Sequence, residues 1–159
     1  MNEDLATYFS QAEDSLQAAR TLKSHGLYKA AVNHCYYAYF WIVRGLFLSK
    51  DIFTKTHSGV QSKFAELFIV TNLIPKKYGQ YLAKLFKERQ IADYELNGEF
   101  TEEDIDEYIS MVEDFMEFMR ENYSRLWKYH HSFYVFVVLS QRFLLHKGLK
   151  RRCIKEWKK

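Results

Sequence analysis

The chain of 159 residues is long enough to bury the core of one domain, and its 48% hydrophobic and 18% aromatic content excludes a generally disordered protein. The net charge of +3 is unevenly distributed, since residues 127–159 hold nine Lys or Arg and one acid, whereas residues 1–126 hold 14 Lys or Arg and 19 acids. The basic charge therefore belongs to the C-terminal segment, and it does not identify the rest of the chain as a nucleic-acid-binding domain.

The cysteine and glycine content narrows the class of protein further. Two cysteines, Cys35 and Cys153, provide no disulfide framework, and no apolar run of the kind found in secretory signals follows Met1. We therefore expect a protein of the reducing cytoplasm. A single proline and six glycines favour long helices over many short strands.

The first two predicted helices form a hairpin. The first has apolar residues at steps of three and four and ends at Gly26. The second runs from about Leu27 to Ser49, and its only charge between Cys35 and Leu48 is Arg44. Because this helix is apolar on all sides, we expect it to lie at the centre of the domain. The apolar run of 14 residues is too short to span a membrane.

Three further helices are predicted after a loop. The third begins near His57 and ends before Pro75, and the fourth spans about Lys76 to Glu95. The fifth begins at Thr101, with Asp104 three residues later as in a capping box. Because the connections are short, the sequence predicts an all-α fold, an antiparallel bundle of about five helices.

The predicted bundle occupies residues 1–126, and residues 127–159 differ from it in composition. An apolar stretch at 133–145, again too short for a membrane span, leads into a basic end. The segment is an amphipathic surface element, a sixth packed element or sequence appended to a domain that is complete without it. The sequence leaves open whether it is part of the fold.

Three tyrosines crowd the centre of the second helix, at positions 36, 37 and 39. At about 100° per residue they cannot all face one way, so some hydroxyl groups need buried partners or a cleft. One interpretation is an aromatic core. The other is a polar pocket that includes Asn33 and stacks a base or ribose on Tyr36 and Tyr37.

The fourth helix carries an arginine beside its inward face. Arg89 follows Leu82, Leu85 and Phe86 at helical spacing, and Asp93 lies four residues further on, within reach of the guanidinium. The pair is either a structural ion pair or an arginine that its carboxylate orients to hold a phosphate.

The remaining polar candidates are isolated histidines. His57 lies at a boundary between loop and helix, where it is either a cap or loop anchor or an acid–base group. No pair of histidines or cysteines has convincing metal-ligand spacing, and the sequence contains neither a glycine-rich phosphate loop nor a nucleophile elbow. We therefore expect no metal and no cofactor.

Several short segments follow one another in a set order along the chain. They are Gly26-Leu27-Tyr28, Ala31-Val32-Asn33, Tyr36-Tyr37-Ala38, Lys55-Thr56-His57-Ser58-Gly59-Val60, Arg89 and Ala92-Asp93-Tyr94. This ordered set resembles the HEPN family of small helical domains, first described as nucleotide-binding in higher eukaryotes and prokaryotes. The resemblance is closest to the short stand-alone prokaryotic branch and covers roughly Leu5 to Arg120.

The resemblance implies a helical bundle that commonly forms a homodimer, in toxin–antitoxin or defence systems, beside a minimal nucleotidyltransferase. Active members are metal-independent endoribonucleases whose signature is an arginine followed, after four to six residues, by a histidine at the dimer interface. Here residues 94–96 follow Arg89 without a histidine. If the chain is catalytic, Arg89 supplies the cation, and the acid–base role passes to Asp93, Tyr94 or His57.

Three functions are consistent with these features. The one we favour is a non-catalytic module that binds a nucleotide, RNA or a nucleotidyltransferase partner through the region of Tyr36, Tyr37 and Arg89. The alternatives are a metal-independent endoribonuclease toxin and a helical domain that only binds other proteins. The sequence identifies neither the nucleotide or RNA nor the partner protein.

Overall fold

A computed structural model describes residues 3–95 and 98–122, without the side chains of residues 3–5. These residues form helices and no strand, which confirms the predicted all-α fold. The helices are α1 (Glu3–Ser24), α2 (Tyr28–Leu48), α3 (His57–Phe64, continued by a π-helical turn, Ala65–Ile69), α4 (Lys76–Tyr94) and α5 (102–122). The predicted boundary at residue 126 and the segment 127–159 lie outside the described residues. No helix among those described is long and apolar enough to cross a membrane.

The helix ends follow the local signals in the sequence. Gly26 has a φ of 70°, a left-handed conformation that glycine adopts without strain, and the Leu27 N–H donates to the Leu22 carbonyl at 2.9 Å. At the start of α5, the Asp104 N–H donates to the Thr101 hydroxyl, and the Thr101 N–H donates to the Asp104 carboxylate. Both predicted signals, the glycine C-cap and the capping box, are confirmed.

Four helices form a closed ring in which each is antiparallel to its neighbours. In the ion pairs that join α5 to α1 and α4, the residue number on one helix falls as that on the other rises, and the polar contacts between α2 and α4 follow the same order. The contacts are Lys23–Asp106, Glu13–Arg120, Lys77–Asp114, Lys84–Glu107, Asn33–Asp93 and Lys29–Glu95. The helix order around the ring is therefore α1, α2, α4, α5, with α2 diagonally opposite α5.

The core lies between α2 and α5. The rings of Tyr39 and Phe115 stack with their centroids 4.2 Å apart, and the Tyr39 hydroxyl donates to the Tyr78 carbonyl at 2.7 Å. Complete burial raises the pKa of Tyr39 well above its usual value. From α3, Phe64 packs its ring against Phe115. The second helix contributes 11 buried residues to the core, and Tyr39 is a core tyrosine, but α2 is one of the four helices of the ring and its residues Tyr37, Phe40 and Trp41 are partly exposed.

The π-helical turn at the end of α3 is a feature that the sequence did not predict. The Val70 N–H donates to the Ala65 carbonyl, five residues earlier, at 2.9 Å. Phe64 and Phe68, on either side of the turn's start, are both buried. The chain leaves the helix at Asn72, which has a φ of 57°.

Candidate functional site

Three helices bring six of the seven predicted site residues together. On α2, Asn33, Tyr36 and Tyr37 lie at steps of three and four and share one face, which packs on the face of α4 that carries Arg89 and Asp93. His57, the first residue of α3, approaches the same face of α2. We call this group the Arg89 cluster, and its members are Asn33, Tyr36, Tyr37, His57, Arg89 and Asp93.

The predicted pairing of Arg89 with Asp93 is present. Arg89 Nη2 lies 2.6 Å from Asp93 Oδ2, and 17% and 23% of the two side chains are exposed. Asn33 Nδ2 donates to the other carboxylate oxygen, Asp93 Oδ1, at 2.7 Å. Because both oxygens are engaged, the carboxylate is held between α2 and α4, and it orients the guanidinium.

The pair does not use all the hydrogen-bonding capacity of its side chains. Arg89 Nε and Asn33 Oδ1 are buried, and neither has a hydrogen-bond partner in the described part of the chain. Leaving a buried polar group unpaired costs about 1–3 kcal/mol, so buried groups in proteins are usually satisfied.

The guanidinium also lies over two aromatic rings. The Arg89 Cζ atom is 5.9 Å from the ring centroids of both Tyr36 and Tyr37, within the range of cation–π attraction. Tyr36 is buried, whereas Tyr37 is partly exposed. The three tyrosines therefore differ, because Tyr39 fills the core, Tyr36 forms the floor of the cluster and Tyr37 lines its edge.

His57 supplies an imidazole to the cluster. Its Nδ1 atom lies 2.7 Å from the Tyr36 hydroxyl oxygen, with the donor set by the tautomer. Burial, and then the charge of Arg89, lower the pKa of His57 below its ordinary value of 6.5. The Thr56 hydroxyl accepts the Gly59 N–H and caps α3, so His57 is not the capping residue. At neutral pH the imidazole is neutral and able to accept a proton.

Two phenylalanines extend the cluster. The Phe40 ring lies 4.8 Å from the His57 ring, and the Phe86 ring lies 5.8 Å from that of Tyr36. Sequence reasoning did not assign either to the site. Phe40 follows Tyr36 by four residues and Phe86 precedes Arg89 by three, so helical spacing is the signal that would have found them.

Tyr94 is separate from the cluster. It is 76% exposed, and as the neighbour of Asp93 it is rotated by about 100° around α4. Within residues 3–95 and 98–122, it makes no hydrogen bond or ring contact with Arg89 or His57. The geometry gives it no part in the site, and its proposed acid–base role has no structural support.

A groove of about 630 Å³ lies elsewhere, between α1 and α5. Its arginines are already paired, Arg20 with Glu113 and Arg120 with Glu13. Glutamates outnumber arginines along its walls, so the groove repels phosphate. We therefore locate the candidate site at the Arg89 cluster.

The charge of Arg89 and the pKa of His57 are linked, and their link is measurable. Replacing Arg89 by Met removes a nearby positive charge, so the pKa of His57 should rise towards 6.5. Asp93→Asn should lower it further, because the guanidinium then lacks its counter-charge. NMR titration of the His57 ring protons measures both shifts, and Asp114→Asn, on α5, is the matched control.

The lowered pKa of His57 predicts how the stability of the fold depends on pH. Since the pKa of His57 in the folded protein is below its unfolded value, His57 favours the fold above pH 6.5, and this contribution is lost as the pH falls through the lowered pKa. The loss should be smaller in Arg89→Met. If neither variant moves the titration of His57, the two groups do not interact and the cluster is wrongly described.

Comparison with known proteins places this chain in a family. The profile of the HEPN domain matches residues 5–122, a range that contains the whole Arg89 cluster. A "putative toxin" of Methanocaldococcus jannaschii is 37% identical over 101 residues, 64% of this chain and 69% of that protein. A second "putative toxin" of the same organism is 32% identical over 117 residues, 74% of this chain and 87% of that protein.

A third relative comes from a bacterium. The "UPF0332 protein" of Thermotoga maritima is 33% identical over 107 residues, 67% of this chain and 81% of that protein. These matches agree with the resemblance that the ordered segments of the sequence indicate. The chain belongs to the HEPN domain family.

Proposed function

We propose that the Arg89 cluster binds the phosphate of a nucleotide or of RNA. The observation that carries the proposal is the Arg89 guanidinium, which Asp93 holds from one side while it lies 5.9 Å from the rings of Tyr36 and Tyr37. A planar guanidinium presents N–H donors in a geometry that matches phosphate oxygens. The partly exposed Tyr37 ring beside it offers a face on which a base stacks.

The ion pair with Asp93 leaves N–H donors of Arg89 without an acceptor among the described residues. A guanidinium carries five N–H donors, and the contact to Asp93 is made through Nη2, while Nε is unpaired. Asn33 donates to the second carboxylate oxygen, and Arg89 contacts Asp93 through Nη2. Asp93 therefore acts as a positioning residue, and a phosphate binds the exposed part of the guanidinium, whose side chain is 17% exposed.

We also propose RNA cleavage as a second candidate function, because His57 and Arg89 lie against the same two rings, those of Tyr36 and Tyr37. The signature histidine is missing after Arg89 in sequence, but another helix supplies a neutral imidazole to the same cluster. In such a reaction the 2′-hydroxyl oxygen attacks phosphorus and passes its proton to His57. Arg89 stabilises the extra charge on the phosphorane, and the 5′-oxygen leaves and takes a proton from water. The products are a 2′,3′-cyclic phosphate and a 5′-hydroxyl end.

The relatives indicate a biological setting for this chemistry. Two of them are described as putative toxins, and we propose that this chain is likewise the toxin of a toxin–antitoxin pair. Its partner would then be an antitoxin, for which the family resemblance implies a minimal nucleotidyltransferase. The predicted homodimer and the predicted cytoplasmic location belong to the same proposal.

Phosphate binding at Arg89 predicts a thermal shift that one side chain controls. A ligand at 100 times its Kd stabilises a protein by about 2.7 kcal/mol, so at least one member of a panel of nucleotides should raise the Tm of the full chain by several degrees. Arg89→Ala should abolish the shift. Arg120→Ala, which removes another surface ion pair, should keep it. An unchanged shift in Arg89→Ala, or no shift with any nucleotide, contradicts the proposal.

Cleavage by His57 predicts a distinct result. In EDTA, the full chain should convert single-stranded RNA into fragments with 2′,3′-cyclic phosphate ends, and either Arg89→Ala or His57→Gln should reduce the rate by about 100-fold or more. The rate should rise with pH through the lowered pKa of His57, because the neutral imidazole is the base. His25→Gln, at the exposed end of α1, is the control. Cleavage that survives His57→Gln would exclude this mechanism.

A further inference from the structure

A continuous row of partly exposed aromatic side chains runs from α1 to the Arg89 cluster. It begins with Tyr8 on α1 and continues through Trp41, Phe40 and Tyr37 on α2, with successive ring centroids 5.9, 5.5 and 6.3 Å apart. All four residues are partly exposed. The Tyr37 and Phe40 rings both contact His57, so the row ends at the cluster. We call these four residues the aromatic ridge.

Helix α2, which carries three of the four ridge residues, is basic, whereas α5 is strongly acidic. Residues 28–69, which form α2, α3 and the loop between them, hold five Lys or Arg and two acids, whereas residues 99–121, which form most of α5, hold ten acids and one Arg. Helix α2 itself contains no acid. Because α5 is diagonally opposite α2 in the ring of helices, the acidic surface and the aromatic ridge lie on opposite sides of the molecule.

The acids of α5 are also compensated where they meet neighbouring helices. Lys23 of α1 pairs with Asp106, and Lys84 of α4 pairs with Glu107. These two lysines are therefore directed to α5. A net acidic domain can thus present a basic helix with aromatic side chains to a polyanion.

We infer that the aromatic ridge is a stacking track for successive bases of single-stranded RNA, with one phosphate of that RNA at Arg89. This inference rests on the proposed phosphate site. Positively charged surfaces with aromatic side chains are the usual combination in proteins that bind single strands, because stacking on aromatic rings tolerates any base. A mononucleotide at Arg89 reaches Tyr37 only, whereas Phe40, Trp41 and Tyr8 need further nucleotides. A duplex, whose bases are already stacked, cannot use the ridge.

The test compares three ligands on the full chain. They are AMP, a pentanucleotide of adenosine, and an abasic pentamer with the same number of phosphates, measured by calorimetry in the same buffer. The basic segment 127–159 attracts both pentamers through their phosphates, so the difference between them isolates stacking. We expect the pentanucleotide to bind at least fivefold more tightly than the abasic pentamer.

Substitutions in the ridge locate the effect. Trp41→Leu and Tyr8→Leu each keep an apolar side chain but remove a ring, and each should weaken the pentanucleotide by about fivefold or more without changing the affinity for AMP. Tyr81→Leu is the control, because its ring contacts Tyr78 on α4 rather than the ridge. Thermal melts identify a variant that does not fold. If one of the two ridge variants does not fold, the RNA affinity of the other decides whether the ridge binds RNA.

The outcomes separate the two proposals. If neither AMP nor the pentanucleotide binds, the proposed phosphate site is wrong. If AMP binds but the pentanucleotide is no better than the abasic pentamer, or both ridge variants bind it normally, the phosphate site stands and the ridge inference fails. The inference also fails if the ridge variants change the molecular mass in light scattering and leave RNA affinity intact, since the ridge is then a contact between two copies of the chain.

Discussion

The contact of the Asp93 carboxylate with two helices determines the candidate site. Its oxygens accept from Arg89 on its own helix and from Asn33 on α2, each within 2.7 Å. Without this bridge the long Arg89 side chain would have many rotamers, and its position over Tyr36 and Tyr37 would cost entropy. The Asp93 carboxylate cancels the charge of Arg89, so the pair as a whole is neutral. Selectivity for phosphate therefore comes from the geometry of the N–H donors more than from the strength of the electric field.

The antiparallel ring of helices explains why these residues meet. A contact between residues 33 and 93 requires α2 and α4 to run in opposite directions. The stacked rings of Tyr39 and Phe115 meet in the core, so α5 lies across the core from α2. The acidic residues of α5 are therefore separated from the cluster by the core. Helix α3 packs against the same core through Phe64, and its first residue, His57, lies next to Tyr36.

Much of the fold was predictable because its signals are local. Gly26, the capping box at Thr101 and the apolar periodicity of each helix act within a few residues, and all three appear in the structure as expected. The Arg89–Asp93 pair was predictable for the same reason, since it follows from spacing on one helix.

The remaining features depend on contacts between distant segments. The contact of His57 with Tyr36 joins residues 21 positions apart across a loop, and no local pattern encodes it. The π-helical turn after Phe64 likewise has no signal in the local sequence pattern. Tyr94 is a candidate from its spacing after Arg89 alone, but its side chain is 76% exposed, and adjacent helical residues such as Asp93 and Tyr94 point in different directions.

A crystal structure of the full chain with bound AMP tests the central claim most directly. The claim predicts a phosphate oxygen at hydrogen-bond distance from the Arg89 guanidinium, with Asp93 still bound to Asn33 and the base against the exposed face of Tyr37. A nucleotide bound elsewhere, with the Arg89–Asp93 pair untouched and the face of Tyr37 uncovered, would show that the cluster is only an ion pair that stabilises the bundle.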